Sequence, residues 1–254
     1  MPYSGYRTRL RTVLLAAALI FISAVFSVSR EAFADRTRPQ AGTASEAAAE
    51  LPDEWFDDAL FIGDSITGSL STYTLLNGGL GNAIIVHSNG LGCHHIVRDD
   101  RKIPILGSLM TIEDAVSASG CGKLFLMLAM NDIGTEPIET LQADWETVLD
   151  RILEKNPSVT VYVQSGTPVL YNAGYFTREN MEAYNAMLQT VCQSRDCVYA
   201  DVTRGMKDEN GFMKKELHLD MFHISSEGAA LWVNNLHDPG SYTPPLSPEK
   251  EKTP

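Results

Sequence analysis

A serine hydroxyl is a weak nucleophile until a base takes its proton. This chain carries a candidate for each role, near opposite ends of its patterned region. Ser65 stands in Gly63-Asp64-Ser65, directly after the apolar run Ala59-Leu60-Phe61-Ile62. His223 closes Asp220-Met221-Phe222-His223 far downstream. Asp220, three residues before it, is close enough to hold the imidazole in the tautomer that leaves the other nitrogen free. Asn131, in Met130-Asn131-Asp132, has an amide side chain that can donate to a developing oxyanion, worth about 3 kcal/mol for one donor. In His87-Ser88-Asn89-Gly90-Leu91-Gly92, Gly90 and Gly92 let a backbone N–H approach the same spot with no Cβ in the way. Together these types would do acyl transfer through a serine nucleophile.

Each signal alone has a bland explanation. Asp64 or Ser65 would serve as an ordinary helix N-cap. Asn-Asp and Gly-rich tracts make turns, and Asp-x-x-His fits a surface cap. His94 and His95 follow the second glycine and compete for the base role; they read as loop residues. Gln164 and Thr167 could line a cleft, but Gly166 and Pro168 explain that stretch equally well as a turn. There is no H-E-x-x-H and no C-x-x-C, so a zinc hydrolase or a zinc ribbon is disfavoured and no metal or organic cofactor is expected.

The elements that must position these residues are legible as short apolar runs at 59–62, 83–86, 124–128, 159–163 and 198–200. Each is strand length and nearly continuous in hydrophobicity, as parallel strands covered on both faces are. Between them, Leu141, Trp145, Val148, Leu149 and Ile152 recur at helical spacing, as do Met181, Tyr184, Met187, Leu188 and Val191. A further helix is expected over Ser226–Leu236. Strand–helix alternation implies an α/β sandwich with a mostly parallel sheet. Right-handed crossovers then place a ligand crevice at the carboxyl ends of the strands. The polar and Gly-rich blocks fall just after the runs, as that geometry requires.

The chain has 254 residues, 44% of them apolar, and a formal net charge of −12. That balance excludes a general nucleic-acid binder, which needs clustered Lys and Arg. Arg7, Arg9 and Arg11 precede an uncharged run from Val13 to Val28, and Ala32-Phe33-Ala34 reads as a cleavage site. Residues 1–34 are therefore a signal peptide or an uncleaved N-terminal anchor, and either places the remainder outside the cytoplasm. Residues 35–52 read as a linker and the proline-rich 238–254 as a disordered tail. Cys192 and Cys197 could close a short disulfide loop or pack as free thiols; spacing does not decide.

In order, Gly63-Asp64-Ser65, a Gly loop after the second strand, Asn131-Asp132 after the third and Asp220-x-x-His223 near the end resemble the blocks of the SGNH (GDSL-like) hydrolases, over about residues 57–237. The resemblance implies a flavodoxin-like three-layer α/β/α sandwich over 53–237, with five parallel strands in the order 2-1-3-4-5. It implies that Ser65 is the nucleophile, His223 the base and Asp220 its partner. The Ser65 N–H, a glycine N–H and the Asn131 side chain would form the oxyanion hole, with Gly92 preferred over Gly90. Three departures stand out. Ala129 holds a position usually glycine, which is harmless where φ is negative. The glycines of the second block are closely spaced. Met221-Phe222 fill the middle of the last block, where Phe222 would wall an acyl pocket or pack in the core. The implied activity is hydrolysis of small acyl esters, of acetyl type, on a small molecule or a glycan, outside the cytoplasm. An O-acyltransferase using the same acyl-enzyme, or an inactive carbohydrate-binding protein on this fold, would carry the same blocks. Membrane contact is expected only through the N-terminal anchor.

Overall fold

The computed structural model describes residues 49–246. The signal or anchor segment 1–34, most of the linker and the last eight residues lie outside the described residues. Five parallel strands form the sheet: β1 (Ala59–Gly63), β2 (Ile84–His87), β5 (Lys123–Met127), β6 (Thr160–Gln164) and β7 (Val198–Ala200). Their order is β2-β1-β5-β6-β7, which is the expected 2-1-3-4-5 counted along the parallel strands. The principal helices are α1 (Ser65–Asn77), α4 (Ile138–Lys155), α5 (Arg178–Ser194) and α6 (Ser226–His237). α4, α5 and α6 form where helices are expected, and α4 and α5 bury their periodic apolar faces, including Trp145 on α4 and Tyr184 on α5. This is a parallel-sheet α/β fold with helices in the connections between its strands.

A row of stacked rings crosses the middle of the sheet. Phe61 on β1, Phe125 on β5 and Tyr162 on β6 occupy paired register positions. Their ring centroids are 4.4 and 4.5 Å apart and the planes are within 9° and 11° of parallel. Slipping one strand by a single residue would turn each ring to the opposite face. The ladder therefore pins the register that brings Gly63 level with His87 and with Met127. A short 3-10 turn, Asp53–Phe56, lays Trp55 and Phe56 against these rings.

Three features depart from the expectations. The sheet has a sixth strand, β8 (Tyr242–Thr243), antiparallel to β7. The disordered tail expected from residue 238 is thus corrected over 238–243, which forms a 3-10 turn and this edge strand. Its prolines and charges suggested no burial, yet Tyr242 packs near Trp55 and Tyr162, with centroids at 6.0 and 5.6 Å. Second, a hairpin of β3 (Ile103–Ile105) and β4 (Ser108–Met110), flanked by short helices α2 (Cys93–Arg98) and α3 (Ile112–Ser119), fills the β2–β5 connection. These elements are too short to show a period. Third, at the start of the described chain the Leu51 N–H donates to the His237 carbonyl at 2.8 Å, so the end of the expected linker is tied to the fold. The four cysteines are free thiols, and Cys192 and Cys197 are both buried.

If Tyr242 seals the sheet edge as the contacts indicate, Tyr242→Ala lowers unfolding stability by about 2 kcal/mol, measured by urea denaturation. A change near zero would mean that the segment after α6 contributes no packing.

Candidate active site

The crevice forms where the parallel strands end. β1 ends at Gly63, which must be glycine: an added Cβ would lie 2.0 Å from Thr67 Oγ1 and 2.6 Å from the Met127 carbonyl. The chain then turns into α1, and Asp64 caps the helix by accepting the Ile66 N–H at 2.9 Å. Ser65 is the first residue of α1. Backbone N–H groups in a first helical turn have no acceptor within the helix, so the Ser65 N–H adjoins its own hydroxyl as an available donor.

His223 reaches Ser65 from the other end of the chain: its Nε2 lies 3.1 Å from Ser65 Oγ. Its Nδ1 lies 2.9 and 3.1 Å from the two Asp220 oxygens. With Nδ1–H donating to Asp220, the Nε2 lone pair faces the serine hydroxyl. A tight turn makes this geometry. Asp220 Oδ1 accepts the Phe222 and His223 N–H groups, each at 2.8 Å. A bridge between His218 and Ile224 closes the turn below, and Ser225 caps α6 directly after it. The His223 and Phe222 N–H groups, then the His223 ring, lower the Asp220 carboxyl to about 2. It is a carboxylate throughout the neutral range.

Asn131 follows β5 in the next loop. Its Nδ2 donates to Asp64 Oδ2 and to the Leu91 carbonyl, both at 3.1 Å. The first contact joins it to the residue before the serine, and the second to the residue before Gly92. Gly92 caps α2, with an extended φ of −124°. A Cβ there would meet Asp132 Oδ1 at 2.4 Å and the His94 ring at 2.8 Å, so only glycine fits. The described non-glycine residues with positive φ are Asp99, Leu106 and Asp196, so Ala129 takes an ordinary negative φ, as its substitution for glycine requires.

Two buried carboxylates organise these loops, and sequence reasoning gave neither a structural role across loops. Asp64 is fully buried, and burial, the dominant cause, raises it from 3.8 to about 7. Asp132, also fully buried, accepts the Cys93 N–H at 2.8 and 3.0 Å and pairs with His94 Nδ1 at 2.8 Å. Behind it Tyr184 Oη lies 3.3 Å away and accepts the Trp145 indole N–H at 2.7 Å. Burial raises the Asp132 carboxyl too. Asp132 thus fixes the peptide that follows Gly92 while its neighbour Asn131 reaches Asp64. Only the Asn-Asp pairing hinted at this; burial is invisible in a single sequence.

The remaining candidates fall elsewhere. His94 and His95 lie on α2 rather than in a loop, paired with Asp132 and Asp100, so neither is placed as the base. Gln164 and Thr167 are buried, and Gln164 accepts the Trp232 indole N–H at 2.9 Å. Phe222 is half-buried, with its ring edge-on to Phe176 at 4.9 Å. Among the described residues no group of three or more His, Cys, Asp or Glu is arranged to hold a metal ion.

Comparison with known proteins bears on the family and the fold. The model of a family described as GDSL-like Lipase/Acylhydrolase matches residues 61–231. Among solved structures, the chain is similar to a Streptococcus pneumonia protein provisionally named a platelet activating factor, with 22% identity and a TM-score of 0.58 over 71% of this chain and 82% of that one. A Bacteroides fragilis protein provisionally named an acylhydrolase gives 18% identity and a TM-score of 0.56 over 75% and 88%. A carbohydrate esterase family 3 protein from Talaromyces cellulolyticus gives 17% and 0.52 over 70% and 93%. At these identities the likeness is one of fold. A comparison with curated protein sequences gives no match.

The Asp64 carboxyl makes a signed prediction. The folded protein holds this proton up to about pH 7, whereas an unfolded chain releases it near 3.8. Between those values the folded state binds the extra proton, so stability falls as pH rises. In Asp64→Asn the fall in melting temperature from about pH 5 to about pH 8 is shallower than in the wild type. The same variant turns an acceptor into a donor facing Asn131, and its kcat drops by about tenfold or more. Identical pH slopes in the two proteins would clear Asp64 of this role.

Proposed function

We propose, from the premise that this chain belongs to the GDSL-like lipase/acylhydrolase family and is a serine ester hydrolase, that it removes small acyl groups of acetyl type from carbohydrate outside the cytoplasm. The observation that carries the mechanism is the line Ser65 Oγ, His223 Nε2, His223 Nδ1, Asp220, closed at 3.1 and 2.9 Å. His223 takes the proton as Ser65 Oγ attacks the ester carbonyl. Asp220 holds the ring in the productive tautomer and faces the imidazolium that forms. The Ser65 N–H, the Gly92 N–H and the Asn131 amide receive the negative charge on the tetrahedral oxygen. Asn131 has two amide hydrogens. The one on Asp64 fixes the side chain; the one on the Leu91 carbonyl yields to the oxyanion. The alcohol departs with the proton from His223, and water activated by the same imidazole releases the acid and frees Ser65.

The acetyl-type, carbohydrate assignment draws on the likeness to a carbohydrate esterase and to an acetyl xylan esterase, the latter at 14% identity with a TM-score of 0.54. The extracytoplasmic setting rests on the basic, apolar and A-x-A pattern of residues 1–34. Among the described residues no helix is long and apolar enough to cross a membrane.

A fluorophosphonate probe should label the wild type at Ser65 and leave Ser65→Ala unlabelled. On p-nitrophenyl acetate, Ser65→Ala and His223→Ala each lose about a thousandfold or more in kcat. The double variant should be scarcely worse than either single one, because the two residues act as a unit. Labelling that persists in Ser65→Ala, or additive losses in the double variant, would place the nucleophile elsewhere.

A further inference from the structure

The loop between β6 and α5 carries aromatic side chains that the mechanism does not use. Ala173 and Phe176 pair across a tight turn with Gly174 and Tyr175 at its tip. The turn is held in place. The Tyr175 carbonyl accepts from Asn180 Nδ2 at 2.8 Å and from the Thr177 N–H at 3.0 Å. At its foot, Asn172 Oδ1 accepts the Arg178 N–H at 2.9 Å. Tyr175 packs directly on Gly134, where φ is +69° and an added Cβ would come within 2.4 Å of Tyr175 Cβ. Gly134 lies three residues after Asn131. On the other side Phe176 lies 4.6 Å from Tyr175 and 4.9 Å from Phe222, the neighbour of His223. A continuous row of three rings therefore joins the Asn131 loop to the His223 turn. Its outermost ring, Tyr175, is 49% exposed. Tyr175 is thus an exposed ring held in a fixed position beside the loops that carry Asn131 and His223.

At the foot of the same turn opens a cleft of about 600 Å³, with Asn172, Arg178, Glu209, Asn210 and Phe212 among its lining residues. It is shallow and open to solvent, unlike the enclosed pocket that an acyl chain would need. Its chemistry is specific. The Arg178 guanidinium already pairs with Glu179 at 2.7 Å, donates to the Asn210 carbonyl at 2.8 Å and lies over the Phe212 ring. The Arg178 charge is thus already met by Glu179, which weakens its pull on an anionic ligand, while its buried Nε–H still lacks an acceptor. An alkyl chain would desolvate amides and carboxylates without returning hydrogen bonds. An uncharged polyhydroxyl ligand satisfies both surfaces: its C–H faces lie on the rings, and its hydroxyls bond to the amides and carboxylates.

We infer that the Tyr175 turn and the cleft at its foot form a saccharide subsite, which holds sugar units flanking the one whose ester lies at Ser65. The ester-hydrolase reading supplies only the position of that ester; sugar binding itself is measurable without turnover.

The test uses the full chain carrying Ser65→Ala, titrated by NMR and calorimetry with unacetylated xylotetraose and chitotetraose. Saturable binding of at least one is expected, weakened about fivefold or more when Tyr175→Ala or Asn210→Ala is added. Melting temperature checks that the added changes leave the fold intact. With Ser65 restored, the ratio of kcat/KM for the acetylated tetrasaccharide to that for p-nitrophenyl acetate should fall by a similar factor in both variants. Absence of binding by both tetrasaccharides, equal binding with and without the added changes, or a selective loss on p-nitrophenyl octanoate instead, which would make the rings an acyl wall, each overturns the inference. Binding without hydrolysis of any ester would uphold the subsite and sink the proposed activity.

Discussion

A carboxylate placed out of reach of water is costly unless its neighbours donate to it, and the crevice of this protein is arranged around one. Asp64 sits between the last residue of β1 and the first of α1. From there it receives the Ile66 N–H, which starts the helix, and the Asn131 amide, which belongs to a different strand's loop. The same group thus caps the helix that carries Ser65 and ties down the side chain proposed to face the oxyanion. Remove it and two loops that are distant in sequence lose their shared anchor. Asp132 does the corresponding work one layer further in, between the Asn131 loop and the peptide after Gly92. The two acids differ sharply from the third, Asp220. Asp64 and Asp132 are buried and raised; Asp220 is largely exposed and lowered. Buried acids hold the frame rigid, while the exposed acid remains charged beside the His223 ring.

The frame depends in turn on register. Parallel strands buried on both faces carry little information about which residue lies beside which. The stacked rings of Phe61, Phe125 and Tyr162 add it, and Gly63 and Met127 end level as a result. Because Gly63 has no side chain, the β1 backbone can approach the Met127 carbonyl, and the Asp64 N–H donates to that oxygen at 3.3 Å. The position of Ser65 is therefore set by packing in the sheet as much as by hydrogen bonds at its mouth.

Much of this was legible beforehand because the signals were local and periodic. The five parallel strands, their order and the three long helices follow from apolar runs and helical spacing. Ser65, Asp220 and His223 follow from residue types placed just after strands or before a helix. What escaped was non-local. The hairpin β3–β4 and helices α2 and α3 are each shorter than the window over which a period shows. Tyr242 joins the sheet through rings contributed by residues 55 and 162, so the composition of its own segment misleads. His94 read as a loop residue because its partner, Asp132, lies in another loop and shows as buried only once the chain is folded. The Tyr175 turn was hidden for the same reason: its meaning comes from Gly134 and Phe222, neither of which is near it in sequence.

The way the chain enters the fold bears on the helix that carries Ser65. The His237 ring bonds to the Leu51 carbonyl and to the Gly79 carbonyl just past the end of α1. α1 begins at Ser65 and runs for 13 residues, so Leu51 is moored about 20 Å from Ser65, at the far end of that helix. A change in that mooring therefore reaches Ser65 only along the whole length of α1.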